Sequence, residues 1–138
     1  MKHFQIKEFV TPEAYTARGE KAIELMDNRI INCADLLREM LDKPCVINNW
    51  HLNGQYHESG LRSMDTTTGA KWSQHKFGRA IDVKVIGMKS EEVRAFIRLH
   101  WQEFKAVGLT TIEKDTPTWC HCDCRFTGLD GLYEVPFK

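Results

Sequence analysis

No run of about 18 apolar residues occurs anywhere in the chain, which excludes a membrane-spanning helix, so no membrane insertion is expected. Net charge is missing too. Nineteen lysines and arginines offset nineteen aspartates and glutamates, so no overall field draws the protein to nucleic acid, and a nucleic-acid partner is not expected. The amino terminus, MKHFQIKEFVTPEAY, lacks the apolar core of a signal peptide, and synthesis in the cytoplasm is the expectation. None of the five cysteines stands in a CxxC pair, which removes the usual signature of structural zinc and of dithiol redox chemistry. Their odd number and the expected compartment point to reduced, buried thiols. No internal repeat, low-complexity tract or linker rich in proline, glycine and serine interrupts the 138 residues, so residues 1–138 are read as one domain acting as a monomer. Recognition has to come from a local site.

Thr11-Pro12-Glu13 marks a helix start, with a capping hydroxyl, proline in the first turn and an acid at the positive end of the dipole. From Lys21 to Leu41, apolar residues at spacings of three and four predict one long amphipathic helix, stopping near Asp42-Lys43-Pro44. CVINNW, Cys45 to Trp50, reads as a short strand. From His51 to Gln74 much of the chain has neither a helical nor a strand period, and a loop of that length in a small domain is usually functional. A strand around Ala80 to Ile86 follows, then a second helix from Ser90 to Val107 closed by Gly108, then strands around Leu109 to Glu113 and Thr118 to Phe126.

Two of these strands share an unusual pattern. Alternation puts Ile81, Val83 and Val85 on one face of the first and Ala80, Asp82 and Lys84 on the other. In TWCHCDCRF, Cys120, Cys122 and Cys124 fall on one face, and Trp119, His121, Asp123 and Arg125 on the other. The expected architecture is an α+β fold: a small antiparallel sheet with helices packed on one face and a cleft on the other, floored by Asp82 and His121. An acid inside Ile-Asp-Val-Lys-Val is disfavoured by strand propensity and needs a partner when buried. With His75 at the loop edge, Asp82 and His121 make a three-donor set that suits a catalytic zinc keeping one position open. Two plainer readings stay open at this point: strand histidines held by structural hydrogen bonds, and an ion pair of Asp82 with Lys84 or Arg79. His51 and His57 read as loop histidines, His100 and Trp101 as packing residues. Of Trp50, Trp72 and Trp119, at least two read as core or rim packing, with an aromatic platform for a sugar or peptide as the alternative.

SQHKFGRAIDV, Ser73 to Val83, resembles the SxHxxGxAxD signature of the zinc D-Ala-D-Ala carboxypeptidase and L-alanyl-D-glutamate endopeptidase family, which also resembles the amino-terminal domain of hedgehog proteins. TWCHCDCR resembles that family's closing strand in its HxD branch, and ESGLRS, Glu58 to Ser63, its SGxRS segment. The resemblance implies zinc held by His75, Asp82 and His121, with Arg62 facing the bound carbonyl or carboxylate. It implies peptide-bond hydrolysis in the stem peptide of bacterial peptidoglycan, as a carboxypeptidase or endopeptidase, in a cytoplasmic enzyme or one released to the wall as a phage lysin. The alternative is a catalytically silent zinc-binding module of the same fold. One departure matters: several family members place an acidic general base three residues before the last ligand, and here that residue is Thr118. Asp123 is the first substitute as catalytic base, with Glu113, Asp115, His57 and Glu58 behind it; the other role open to Asp123 is to orient His121 or pair with Arg125.

Overall fold

The protein is described by a computed structural model covering residues 1–137. Thr11 caps helix α1 (Pro12–Arg18), its hydroxyl accepting the Ala14 N–H at 3.1 Å, as the sequence predicts. The apolar stripe from residue 21 to 41, in contrast, is not one helix. Gly19–Leu25 winds as a 3-10 helix, Met26 is extended, and α2 (Asn28–Leu41) starts afresh at Asp27, whose carboxylate accepts the Arg29 N–H at 2.9 Å. The break has a tertiary cause. Asp27 N–H donates to the Gly78 carbonyl at 2.9 Å, and Gly78 approaches so closely that a Cβ there would lie 1.9 Å from the Leu25 carbonyl oxygen. The turn that ends SQHKFG is thus wedged into the gap between two helical segments.

The second long helix is also divided. α3 (Ser90–Leu99) and α4 (Trp101–Val107) meet at His100, which leaves the helical conformation at φ −106° and ψ 32°. The change of direction keeps α3 on the sheet while α4 packs on α2 and buries Phe104. No helix among the described residues is long and apolar enough to cross a membrane.

Five strands form one sheet in the order β1-β2-β4-β3-β5: β1 (Cys45–Val46), β2 (Ala80–Val85), β3 (Thr111–Glu113), β4 (Cys120–Asp123) and β5 (Tyr133–Val135). The first four are antiparallel, as expected, and β5 adds to β3 in parallel, which makes the sheet mixed. β5 escaped the sequence reading because three residues ahead of Pro136 carry too short a pattern to stand out. β1 stops at Val46 because Asn48 turns inward, donating its backbone N–H to Glu8 and its side-chain amide to the Val10 carbonyl. Ile81, Val83, Cys120 and Cys122 face Ile30, Ala34 and Leu37 of α2 and Val93 and Ile97 of α3 in a single core. The opposite face of β2 and β4 carries the polar residues.

Candidate metal centre

β2 and β4 pair in a register that sets Asp82 opposite His121 and Ala80 opposite Asp123. The third residue arrives by a separate route. Ser73 caps the 3-10 turn Gln74–Phe77 by accepting the His75 N–H on its hydroxyl at 3.3 Å, and Gly78 leaves the turn at φ 67°, a conformation glycine adopts without strain. This turn delivers His75 to the edge of β2. The ESGLR segment runs alongside: the Ser59 carbonyl accepts the Asp82 N–H at 2.7 Å, and Arg62 N–H donates to the His75 carbonyl at 3.0 Å. Gly60 is needed there for space, since a Cβ would meet the Phe9 carbonyl oxygen at 2.2 Å.

Each histidine has one ring nitrogen tied and the other aimed at Asp82. His75 Nδ1 lies 2.8 Å from the Gly60 carbonyl, so Nδ1 donates and Nε2 is left with its lone pair 3.3 Å from Asp82 Oδ1. His121 Nε2 donates to Asp123 Oδ2 at 2.7 Å, and its Nδ1 lies 3.0 Å from the same Asp82 oxygen. The donor atoms of His75, Asp82 and His121 all fall within 4.8 Å of one another, and all three residues are buried. Two imidazoles with fixed tautomers converging on one carboxylate oxygen, over an open cavity, are the donor chemistry of a catalytic zinc site, and the residues fit that ion. The Asp82 ion pair left open by the sequence forms with neither Lys84 nor Arg79. Its partner is Arg62, whose Nη2 lies 3.1 Å from Asp82 Oδ2 while Nε donates to the Glu58 carbonyl at 2.8 Å.

Electrostatics supports the same arrangement. Burial would raise the Asp82 carboxyl, but His75 and His121 hold it well below the usual range, so it is ionised. Burial pushes His75 below its ordinary value and keeps it neutral, with a lone pair to donate. Burial alone would lower His121 as well, yet its hydrogen bonds to Asp123 and Asp82 raise it to about 10. Without a metal His121 is therefore an imidazolium that donates from both ring nitrogens, and a metal ion would take the place of the Nδ1 proton while Asp123 keeps the Nε2–H.

The cleft has two lobes that share Arg62 and Asp82. The larger, of about 450 Å³, is lined by His75, His121, Glu113, Arg125, Gln74 and Trp72 among others. The second, of about 310 Å³, is lined by Tyr56, His57, Glu58, Lys84, Thr118 and Trp119 among others. Asp123 reaches neither lobe: it is fully buried beneath His121, with Arg125 Nε at 2.9 Å from Oδ1 and Nη2 at 2.5 Å from Oδ2. Glu113 does line the larger lobe, 3.7 Å from His121 Nδ1, and burial raises its carboxyl above the ordinary value. Asp115 accepts the Phe137 N–H at 2.6 Å, and Glu58 is held by the Thr66 and Thr68 hydroxyls. Trp50 packs against Tyr15 and donates to the Val10 carbonyl, whereas Trp72 is exposed and stacks on Phe77. His57 is exposed, and His100 packs against Phe96. The sequence reading named neither the Gly60 carbonyl nor the lining by Val135 and Pro136, because backbone acceptors and edge-strand contacts leave no side-chain pattern to read.

Among families of known proteins, the one described as Peptidase M15 matches residues 2–123, which includes the three donor positions His75, Asp82 and His121 as well as Arg62 and Asp123. Neither a curated protein nor a solved structure matches the chain.

Proposed function

The chain belongs to the Peptidase M15 family of zinc metallopeptidases, and we propose that it hydrolyses the stem peptide of bacterial peptidoglycan at the His75, Asp82 and His121 centre. The observation that carries the reading is the convergence of His75 Nε2 and His121 Nδ1 on Asp82 Oδ1, with each far ring nitrogen already tied. Zinc, when bound, supplies Lewis acidity that polarises a carbonyl and makes water a nucleophile near neutral pH. The chain's own residues supply the rest. Arg62 sits where both lobes meet, anchored through Asp82 and the Glu58 carbonyl, and is placed to hold a substrate carboxylate or stabilise the developing oxyanion.

Of the two roles open to Asp123, its burial and its pairing with His121 and Arg125 support that of a positioning residue. Glu113 is then the proton acceptor, since its carboxylate lines the larger lobe beside His121. Its raised pKa moves it toward the range in which a carboxylate both accepts and returns a proton. The proposal extends to a monomer, made in the cytoplasm, that reaches the wall as a phage lysin does.

Incubation of zinc-loaded protein with defined muropeptides, followed by product masses, tests the reading and identifies the bond cut. Loss of turnover in Glu113→Gln with zinc content unchanged is expected. Thr118, in the place where relatives carry an acid, favours a second reading, a silent zinc-binding module. That reading prevails if wild type leaves every muropeptide intact while binding zinc normally.

A further inference from the structure

The second lobe contains a charge that the peptidase reading does not use. Lys84 shares the cleft face of β2 with Asp82, and its Nζ sits 3.8 Å over the Tyr56 ring and 3.2 Å from the Ser59 hydroxyl. The side chain is half-buried, and among the described residues no carboxylate comes within 4 Å of it. A half-buried ammonium normally has an anionic partner, because removing the charge from water is costly. Both acids of this lobe are engaged elsewhere: Glu58 by Thr66, Thr68 and His57, and Asp82 by Arg62, His75 and His121. Arg62, the other cation of the lobe, already commits Nε to the Glu58 carbonyl and Nη2 to Asp82. The ammonium at Lys84, with the Ser59 hydroxyl as its one acceptor, is therefore a second cationic donor of the lobe with capacity to spare.

We propose that Lys84, walled by Tyr56 and Ser59, is a carboxylate-binding subsite that selects peptides bearing a carboxylate next to the bond that is cut. The inference rests on the peptidase reading for the position of that bond. Two residues along β2 separate Lys84 from Asp82, a distance of about 7 Å at the usual strand rise. An extended peptide spans a similar distance with one to two residues, so a carboxylate held by Lys84 belongs to a residue adjoining the scissile bond. Tyr56 and Trp119 supply apolar walls around it. The carboxylate can be the free C-terminus, as in a carboxypeptidase substrate, or an acidic side chain within a longer peptide.

Calorimetry on zinc-loaded and zinc-stripped protein, with two matched peptide pairs, separates these sources. One pair differs only in a C-terminal carboxylate against a carboxamide, the other in Glu against Gln beside the target bond. Wild type should bind the acid member of one pair about ten- to a hundredfold more tightly, the range of a charge-assisted hydrogen bond, and the pair that discriminates names the source. K84M should abolish that preference and K84R should keep part of it; if K84M misfolds, K84Q carries the same test. Equal binding of acid and amide by wild type in both pairs overturns the proposal, as does a preference that survives K84M and so belongs to Arg62. Peptides that bind with the expected preference but are never cut refute the hydrolase and leave the subsite standing.

Discussion

The two faces of β2 and β4 are buried to similar degrees and depend on their residues in different ways. On the helix side, Ile81, Val83, Cys120 and Cys122 are 0–1 % exposed and belong to the apolar core. On the cleft side, Asp82, His121 and Asp123 are 9 %, 6 % and 0 % exposed, yet every one is charged or hydrogen-bonded to a charged group. An apolar face loses stability in proportion to the atoms removed. A buried polar network behaves otherwise, since deleting one member leaves its partner charged and unpaired. The lesson is that burial alone does not rank these positions; what each side chain is paired with does.

The largest expected break in the contrast is loss of the metal. His75→Ala with His121→Ala removes two of three donors and should lower zinc affinity by more than about a thousandfold, beyond the range seen for residues that only orient ligands. Elemental analysis of protein purified without chelator measures it, with about one zinc per chain expected in wild type. Full retention of zinc in the double variant refutes the site. Next in size is Gly78→Ala, which acts on both faces together. Its Cβ would collide with the Leu25 carbonyl in a left-handed conformation, at a cost of about 3 kcal/mol or more. A melting temperature lowered by about 10 °C is expected, and an unchanged one shows that the helix break can shift without consequence.

Asp123→Asn separates positioning from catalysis. Zinc affinity should fall by about ten- to a hundredfold, with turnover restored by added zinc, if Asp123 holds the His121 ring. Turnover that stays low at saturating zinc makes Asp123 the base instead. The same variant sharpens a pH effect. Burial opposes ionisation of Asp123, but hydrogen bonds from His121 and Arg125 win and hold its pKa below the unfolded value, as His75 and His121 do for Asp82. A depressed carboxyl contributes stability above its unfolded pKa of about 4 and loses it as the pH falls through the folded value. Zinc-stripped wild type should therefore lose melting temperature below about pH 4, and Asp123→Asn should lose less over the same range.

Much of the cleft face was legible because strand alternation and register are local rules. The spacing of Asp82, the HxD pair and SQHKFG placed His75, Asp82 and His121 together, and the four antiparallel strands appeared near their expected positions. What stayed hidden was tertiary. A 3.6-residue stripe runs unbroken from residue 21 to 41, and only the Gly78 turn pressing on Leu25 explains why the helix restarts at Asp27. The helix from Ser90 divides at His100 for a similar reason, since α4 follows α2 and not the sheet. Asp123 stood ahead of Glu113 in the order of candidates because alternation puts it on the cleft face with His121, and nothing in sequence distinguishes a carboxylate facing the cavity from one sealed under a ring.

The smallest expected effect tests the contrast from its apolar side. Cys120 pairs with Val83 in the sheet, is fully buried, and lies with its sulfur 3.9 Å from that of Cys122. Its hydrogen bond with Cys122 and its burial push the thiol well above its ordinary pKa, so it remains protonated at neutral pH. A metal ligand must be a thiolate, and this sulfur points away from His121, so it has no route to the ion. Cys120→Ala should accordingly remove one sulfur's worth of core contact, about 1 kcal/mol and a melting temperature lower by roughly 4 °C. Zinc content and affinity should match wild type. A variant that loses stability by that amount and keeps its metal leaves the two faces independent. One that folds normally and releases zinc shows that packing behind the strand sets the position of His121, and the polar face would then owe its geometry to the core as well as to its own hydrogen bonds.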